Sequence, residues 1–254
     1  MDELEIKGVS LKTAMAQVKA NPTNADLRVG LFRLFSLTGQ WDRAVTQLTA
    51  AMELKADNAL YSKAFLACIA CERFRAEVFA GKRLPMLVGE PEPWMGLMCK
   101  ALEVQNIETR PKWWDEALEL AEPRAGTMNG VGFEWIADSD SRLGPNLEAF
   151  IDGKYYWLPF SQLNTVKFHA PVDLIETIWQ SAEIEFETGG SKSAYLPARY
   201  PGSESHNDPQ IVRGLKTEWT PIGEAYATGA GQKILVTEAQ DYPLLECLQL
   251  DFTN

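Results

Sequence analysis

The sequence has few of the side chains on which most enzymes and metal sites depend. Among its 254 residues there are only two histidines, so there is little capacity for general-base chemistry near neutral pH. Four cysteines are scattered along the chain, unlike the dense cysteine framework of a small secreted domain: Cys68, Cys71, Cys99 and Cys247. We therefore expect free thiols in a reducing cytoplasm, and neither a metal nor another cofactor.

Long apolar stretches are also missing. No run approaches the roughly 18 apolar residues that a membrane-spanning helix requires. The amino-terminal segment, residues 1–5, has neither the basic region nor the apolar region of a secretory signal. These absences predict a cytoplasmic protein without a membrane partner.

Positive charge is scarce in one half of the chain. Residues 126–254 carry 8 Lys+Arg against 18 Asp+Glu, whereas residues 1–125 carry 16 against 17. An acidic surface repels phosphate groups, which argues against nucleic acid and anionic lipid as partners. The change of composition predicts two domains, 1–125 and 126–254, with a Gly- and Pro-containing linker at 122–132.

Helical spacing dominates the first half. Apolar residues recur every three or four positions on both sides of Gly39, which predicts two helices joined by a tight turn. The second helix, with Trp41, Ala44, Leu48 and Ala51, resembles the corresponding part of a tetratricopeptide (TPR) unit. The first half is therefore predicted to be a TPR-like helical array, with an irregular helical bundle as the alternative.

Strand signals dominate the second half. Asp152-Gly153 lies between aromatic and β-branched residues, a pattern typical of a β-hairpin. Residues 182–187 alternate between apolar and acidic side chains, as in a half-buried strand, and 173–179 could form one short helix. The predicted fold class is α+β, in which the helical array is followed by a small, mostly antiparallel β barrel or sandwich.

An aspartate-rich segment begins at Asp138 and imitates the start of a calcium-binding loop. However, Arg142 occupies a ligand position, and the twelfth position is Ala149 rather than glutamate. The interpretation favoured here is a turn in which Arg142 pairs with an aspartate. A hydrolase that uses Asp138 and Asp140 as its two carboxylates remains the alternative function.

Two further segments, Tyr155–Phe160 and Ala198–Glu204, combine aromatic, charged and turn-forming residues. Because these side chains suit either a fixed loop architecture or a protein interface, they are candidate structural or partner-contact residues rather than catalytic ones. With the aspartate-rich segment they give these candidates: Trp135, Asp138, Asp140, Arg142, Tyr155, Tyr156, Trp157, Arg199, Tyr200 and Glu204.

The order of these segments resembles one known family. Phe133-x-Trp135-x-Ala137-Asp138, continued through Pro145, precedes the Tyr155–Phe160 motif, and then the Ala198–Glu204 and Gly231-Gln232-Lys233 motifs. Together they resemble the ImpE family, also called TagJ, over nearly the whole chain. The family comprises accessory proteins of bacterial type VI secretion.

The resemblance implies a non-enzymatic adaptor with protein partners. Its implied partners are the small subunit of the contractile sheath, in some systems through an amphipathic helix, and the AAA+ ATPase that disassembles the sheath. A helical array with a groove is suited to binding such a helix. The resemblance carries over no catalytic residues and leaves open which half contacts the partner.

Overall fold

The computed structural model describes residues 5–6 and 9–253. Six helices occupy residues 11–120, and a seventh short helix lies within the second half. Their bounds are α1 Leu11–Ala20, α2 Ala25–Leu37, α3 Trp41–Leu54, α4 Ala59–Phe79, α5 Pro93–Glu103, α6 Pro111–Leu120 and α7 Pro209–Val212.

Local signals explain where these helices start and turn. The side chain of Asn24 accepts hydrogen bonds from the first amides of α2, and Pro93 and Pro111 occupy the first positions of α5 and α6. Gly39 lies between α2 and α3 with φ +64°, a left-handed conformation that glycine adopts without strain. The predicted helical hairpin is therefore present, whereas the repeat character of the array stays a prediction.

Two short strands precede α1, and the other described strands lie in the second half. In chain order they are β1 Glu5–Ile6, β2 Val9–Ser10, β3 Gly126–Met128, β4 Val131–Phe133, β5 Ile136–Asp138, β6 Asn146–Ile151, β7 Lys154–Pro159, β8 Leu163–Phe168, β9 Trp179–Phe186, β10 Ser191–Pro197, β11 Thr217–Ile222, β12 Tyr226–Gly231, β13 Ile234–Thr237, β14 Asp241–Pro243 and β15 Gln249–Phe252.

The main sheet has eight strands in the order β4-β3-β15-β8-β9-β10-β6-β7, and each neighbouring pair is antiparallel. It is an open sheet with β4 and β7 at its edges, so the barrel form of the prediction is wrong. The α+β class and the mostly antiparallel pairing are confirmed.

Each face of the main sheet packs against a different layer. One face contributes Phe150, Trp157 and Trp179 to an apolar cluster shared with the helices. The other face contributes Leu147 and Leu196 to a second cluster, which includes residues of the three-stranded sheet β14-β13-β5. The alternation of side chains along each strand separates the two clusters.

The helical and β-rich halves are joined through the first of these clusters. The ring of Trp179 stacks on Trp41 of α3 and on Phe65 of α4, with centroids 6.0 and 5.8 Å apart. The division at residue 125 stays a prediction.

Two local predictions differ from the structure. Most of the predicted linker belongs to a β-hairpin, because Asn129 and Gly130 adopt positive φ and join β3 to β4. The short helix predicted at 173–179 shrinks to a single 3₁₀ turn, Leu174–Thr177, and Trp179 already belongs to β9. Within the described residues, no helix is both long enough and apolar enough to cross a bilayer.

Candidate functional site

Four buried charged side chains meet where α4 lies against the β-rich half. Arg75 donates two hydrogen bonds to Glu148, at 2.6 and 2.8 Å. The amine of Lys233 lies 2.6 Å from Oε2 of Glu148, which also accepts one of the Arg75 bonds, and 2.8 Å from Asp138. We call these four residues the buried charge network. All four side chains are at most 5% exposed, so each charge depends on its partners rather than on water.

Four elements bring the network together. Arg75 comes from the last turns of α4, Glu148 from the middle of β6, Asp138 from the end of β5, and Lys233 from the residue before β13. Strands β6 and β5 carry the two carboxylates, and α4 and the β12–β13 connection carry the two cations. The opposite charges meet at the junction of the two halves.

The paired charges shift the acidity of the carboxylates in opposite directions. Burial alone would raise the pKa of Glu148, but Arg75 and Lys233 outweigh that effect and hold the pKa at about 2. Burial raises the pKa of Asp138, and Lys233 offsets the effect only in part. Glu148 is therefore the carboxylate whose ionised form the fold stabilises.

Aromatic side chains complete the hydrogen bonding of both carboxylates. The hydroxyl of Tyr155 donates to Glu148 at 2.5 Å, and the indole of Trp157 donates to Tyr155 at 2.5 Å. The hydroxyl of Tyr200 donates to Asp138 at 2.9 Å. Burial is the main cause that raises the pKa of both tyrosines, so their hydroxyls stay protonated as donors.

The aspartate-rich segment is a turn held by its own side chains. Asp138 accepts the amide of Asp140 at 2.9 Å, and Asp140 accepts the amide of Arg142 at 2.9 Å. The guanidinium of Arg142 pairs with both oxygens of Asp140, at 2.8 and 2.5 Å. The predicted pairing of Arg142 with an aspartate is present.

This geometry does not support the hydrolase alternative. Asp138 and Asp140 are 4% and 0% exposed, and their oxygens are occupied by the contacts just described and by the amide of Gly229. Catalytic carboxylates need room for a substrate and a water molecule between them. In the described part of the chain, no group of three or more His, Cys, Asp or Glu residues could hold a metal ion.

Arg199 connects the network to two helix ends. Its guanidinium donates to the carbonyl of Leu37 at the end of α2, at 2.9 Å, and to the carbonyl of Val212 at the end of α7. Its own carbonyl accepts from Arg75 at 3.0 Å. Arg199 is 5% exposed, and burial lowers the pKa of its guanidinium. The positive charge there complements the negative ends of two helix dipoles.

The remaining candidates lie apart from this network. Tyr156 is half-buried and belongs to the β7 edge, where Met86 forms a parallel bridge to it. Trp135 is 38% exposed and lines a cavity of about 310 Å³ with Trp94 and Phe160. Glu204 is partly exposed beside Gly39, where an added Cβ would lie 2.4 Å from its Cγ.

Sequence reasoning missed three of the four network residues: Arg75, Glu148 and Lys233. Arg75 carried a usable signal, because a charged residue among the apolar positions of α4 needs a partner if it is buried. Lys233 belongs to the Gly231-Gln232-Lys233 motif, which marks the segment but gives the lysine no role, and Glu148 carries no signal because its surroundings look like those of any strand.

Two surface grooves lie away from the network. One, the α1–α2 groove, has a volume of about 310 Å³ and an apolar lining that includes Ala14, Leu27, Leu31 and Leu174. The other, the α4–sheet groove, has a volume of about 350 Å³ and lies between α4 and strands β9 and β10.

Comparisons with known proteins agree over most of the chain. The family model described as ImpE protein matches residues 130–251. A protein of Pseudomonas aeruginosa, named type VI secretion system accessory component TagJ, is 37% identical over 246 residues, which cover 96% of this chain and 86% of that protein.

A solved structure shows the same fold. Protein VPA1032 from Vibrio parahaemolyticus, known from its X-ray crystal structure, superposes with a TM-score of 0.88 at 23% sequence identity. The superposition covers 96% of this chain and 92% of that one. At this identity the likeness concerns the arrangement of helices and sheet alone.

Proposed function

The chain belongs to the ImpE family, and we propose that it is a non-catalytic accessory component of a bacterial type VI secretion system. The observation that carries the proposal is the 37% identity to the type VI accessory component over 96% of the chain. In this role it binds the small sheath subunit, links that subunit to the AAA+ disassembly ATPase, or does both, in the cytoplasm.

The burial of the charge network and its neighbours supports a structural role for half of the ten candidate residues. Asp138, Tyr155, Trp157, Arg199 and Tyr200 point into the junction of the two halves and are at most 5% exposed. A partner cannot reach them without unfolding the junction. They define a rigid scaffold on which surface grooves are held, as an adaptor requires.

The α1–α2 groove supports a helical partner element. Leu27, Leu31 and Leu174 give it an apolar lining, and the ion pair between Arg33 and Asp173 lies at its rim. An amphipathic helix can place its apolar face in such a groove and its polar face against the rim. We propose this groove as the binding site for the sheath subunit.

Binding of the full-length chain to purified cognate components tests the proposal. Calorimetric titrations against the small sheath subunit, and separately against the ATPase, should show saturable binding to at least one of them. If neither partner binds at tens of micromolar, the adaptor function is wrong.

A further inference from the structure

The α4–sheet groove has features that the helix-binding proposal does not use. Ala64, Ala67 and Cys68 of α4 form one wall, and Phe150, Ser181 and Tyr195 lie on the sheet side. Small side chains on α4 leave the space of about 350 Å³ open above the aromatic rings. The space is partly apolar, and one long side chain can enter it.

The carboxylates that line this groove are not all paired with a cation. Asp152 and Glu183 line it together with His169, and its described lining contains no lysine or arginine. Lys192 bonds Asp152 at 2.8 Å, so that carboxylate is already neutralised. Glu183 has a weaker neighbour, because its carboxylate lies 3.9 Å from the imidazole of His169 and its side chain is 58% exposed.

The negative face continues along β9 beyond the groove. Glu185 lies two residues after Glu183, on the same exposed face of the strand. Across the strands, Glu183 is in register with Lys167 and Ser193, and Glu185 with Thr165 and Ser191. Lys167 is therefore the one lysine opposite two glutamates, so this face has an excess of negative charge. A cation that binds at this face is attracted by that excess.

We propose that the α4–sheet groove binds a basic peptide segment of a protein partner. A lysine or arginine side chain enters the groove, where its methylene groups pack against Phe150 and Tyr195 and its cation meets Glu183. An aromatic ring next to the cation adds a cation–π contribution. The inference rests on the proposed adaptor function, since it supplies that function with a second contact of different chemistry.

Other occupants fit these charges less well. An acidic peptide or a phosphate group would be repelled by Glu183 and Glu185. A second copy of this chain would bring 35 acidic against 24 basic residues, so like charges would oppose each other. The basic segment is the occupant that the charge of the groove selects.

The two histidines of the chain make the test direct. His169 lines the groove, whereas His206 lies beside Glu218 and does not line it. In proton NMR of the full chain, a capped hexapeptide of alternating lysine and leucine should shift the imidazole signals of His169 in a saturable way. The signals of His206 should stay unchanged, and the glutamate–leucine counterpart should leave both histidines unchanged.

Matched variants separate local binding from general charge attraction. Glu183→Lys should weaken the lysine peptide about tenfold, because a cation then meets a cation. Glu119→Lys makes the same charge change on an exposed position of α6 and should alter the affinity less than about twofold, as a distant, screened charge does. Ala67→Leu fills the groove and should also weaken binding.

Several results would overturn the inference. They are equal effects of the two charge reversals, equal binding of the glutamate peptide, a response of His206 alone, and self-association in place of peptide binding. If the lysine peptide fails while the sheath subunit or the ATPase still binds, the groove proposal is wrong and the adaptor function stands.

Discussion

At the scale of single residues, Glu148 is the carboxylate on which the junction depends. It accepts two hydrogen bonds from Arg75 and contacts Lys233 and Tyr155. Replacing both partners of a buried ion pair with apolar groups can be neutral, whereas removing one partner leaves a charge buried without compensation. A single substitution in the network therefore destabilises the fold by more than the net free energy that the intact network contributes.

We expect Glu148→Gln to lower the free energy of unfolding at pH 7 by about 3 kcal/mol, because the buried Arg75 then keeps only Glu72, at 3.3 Å, as a carboxylate partner. Urea-induced unfolding followed by circular dichroism measures the change. Glu119→Gln removes an exposed carboxylate and should alter stability by less than about 0.5 kcal/mol. Equal effects of the two substitutions would contradict the importance of the network.

The same carboxylate predicts how stability responds to acid. The pKa of Glu148 falls from 4.5 to about 2 on folding, so its stabilisation is complete above pH 4.5 and is lost as the pH falls towards 2. By linkage the loss amounts to about 3 kcal/mol. The raised pKa of Asp138 has the opposite sign, since that group favours the folded state more as it becomes protonated.

The measurement is the unfolding free energy between pH 5 and pH 2.5, in the wild type and in Glu148→Gln. The wild type should lose stability more steeply, because the variant lacks the group that takes up the proton. Parallel curves would show that another carboxylate controls acid unfolding.

At the scale of elements, α2 offers a substitution that blocks a groove without disturbing the core. An added Cβ at Gly30, which lines the α1–α2 groove, meets no atom within 4 Å. We expect Gly30→Arg to weaken binding of the sheath subunit at least tenfold, because the new side chain occupies the groove. Replacing glycine within a helix should leave the fold as stable or slightly more stable.

Gly96→Arg is the matched control for that substitution. Gly96 lies in α5, is also helical, and likewise has no atom within 4 Å of an added Cβ. It should gain the same charge and helix propensity but keep wild-type affinity in the calorimetric titration. Unchanged binding by Gly30→Arg would place the helix elsewhere on the molecule.

Turns and strands at this scale were largely predictable from local sequence. Asp152 and Gly153 adopt φ of 50° and 74° and close the β6–β7 hairpin, as the Asp-Gly pair predicts. Asn129-Gly130 carries an equally clear signal, but the surrounding Gly and Pro residues were interpreted as a linker. Such turns are predictable from local sequence because Asn, Asp and Gly adopt positive φ more readily than other residues do.

The candidate site was less predictable for a physical reason. Asp138, Arg142 and Tyr200 were found because they belong to motifs with unusual local composition. Arg75 and Glu148 are 73 positions apart, and only the packing of α4 on the sheet brings them together. Whether a charged side chain is buried depends on such long-range contacts. The residues next to it in the sequence do not reveal them.

At the scale of the whole molecule, the shared core and the network predict a single cooperative unit. Trp179 stacks on two helices, and Arg199 from the second half donates to the carbonyl of Leu37 in the first. Separation at residue 125 would expose these apolar and charged surfaces together. We therefore expect the isolated segments 1–125 and 126–254 to lack stable tertiary structure.

Thermal unfolding of the full chain should show one transition when it is followed both by tryptophan fluorescence and by helical circular dichroism. Each isolated segment should show no cooperative transition, although the two segments, when mixed, should recover some of it. Two separate transitions in the full chain would support the independent domains that the sequence predicts.

The position of Lys233 after the other members of the network has a consequence for protein synthesis. Glu148 needs both Arg75, 73 residues earlier, and Lys233, which is synthesised after the other three residues of the network. Until then, α4 exposes its apolar face, and Arg75 can pair with Glu72 of the same helix but not with the complete network. The first half therefore cannot complete its folding until the second half has been synthesised. A nascent chain that stalls midway becomes a substrate for chaperones or proteases.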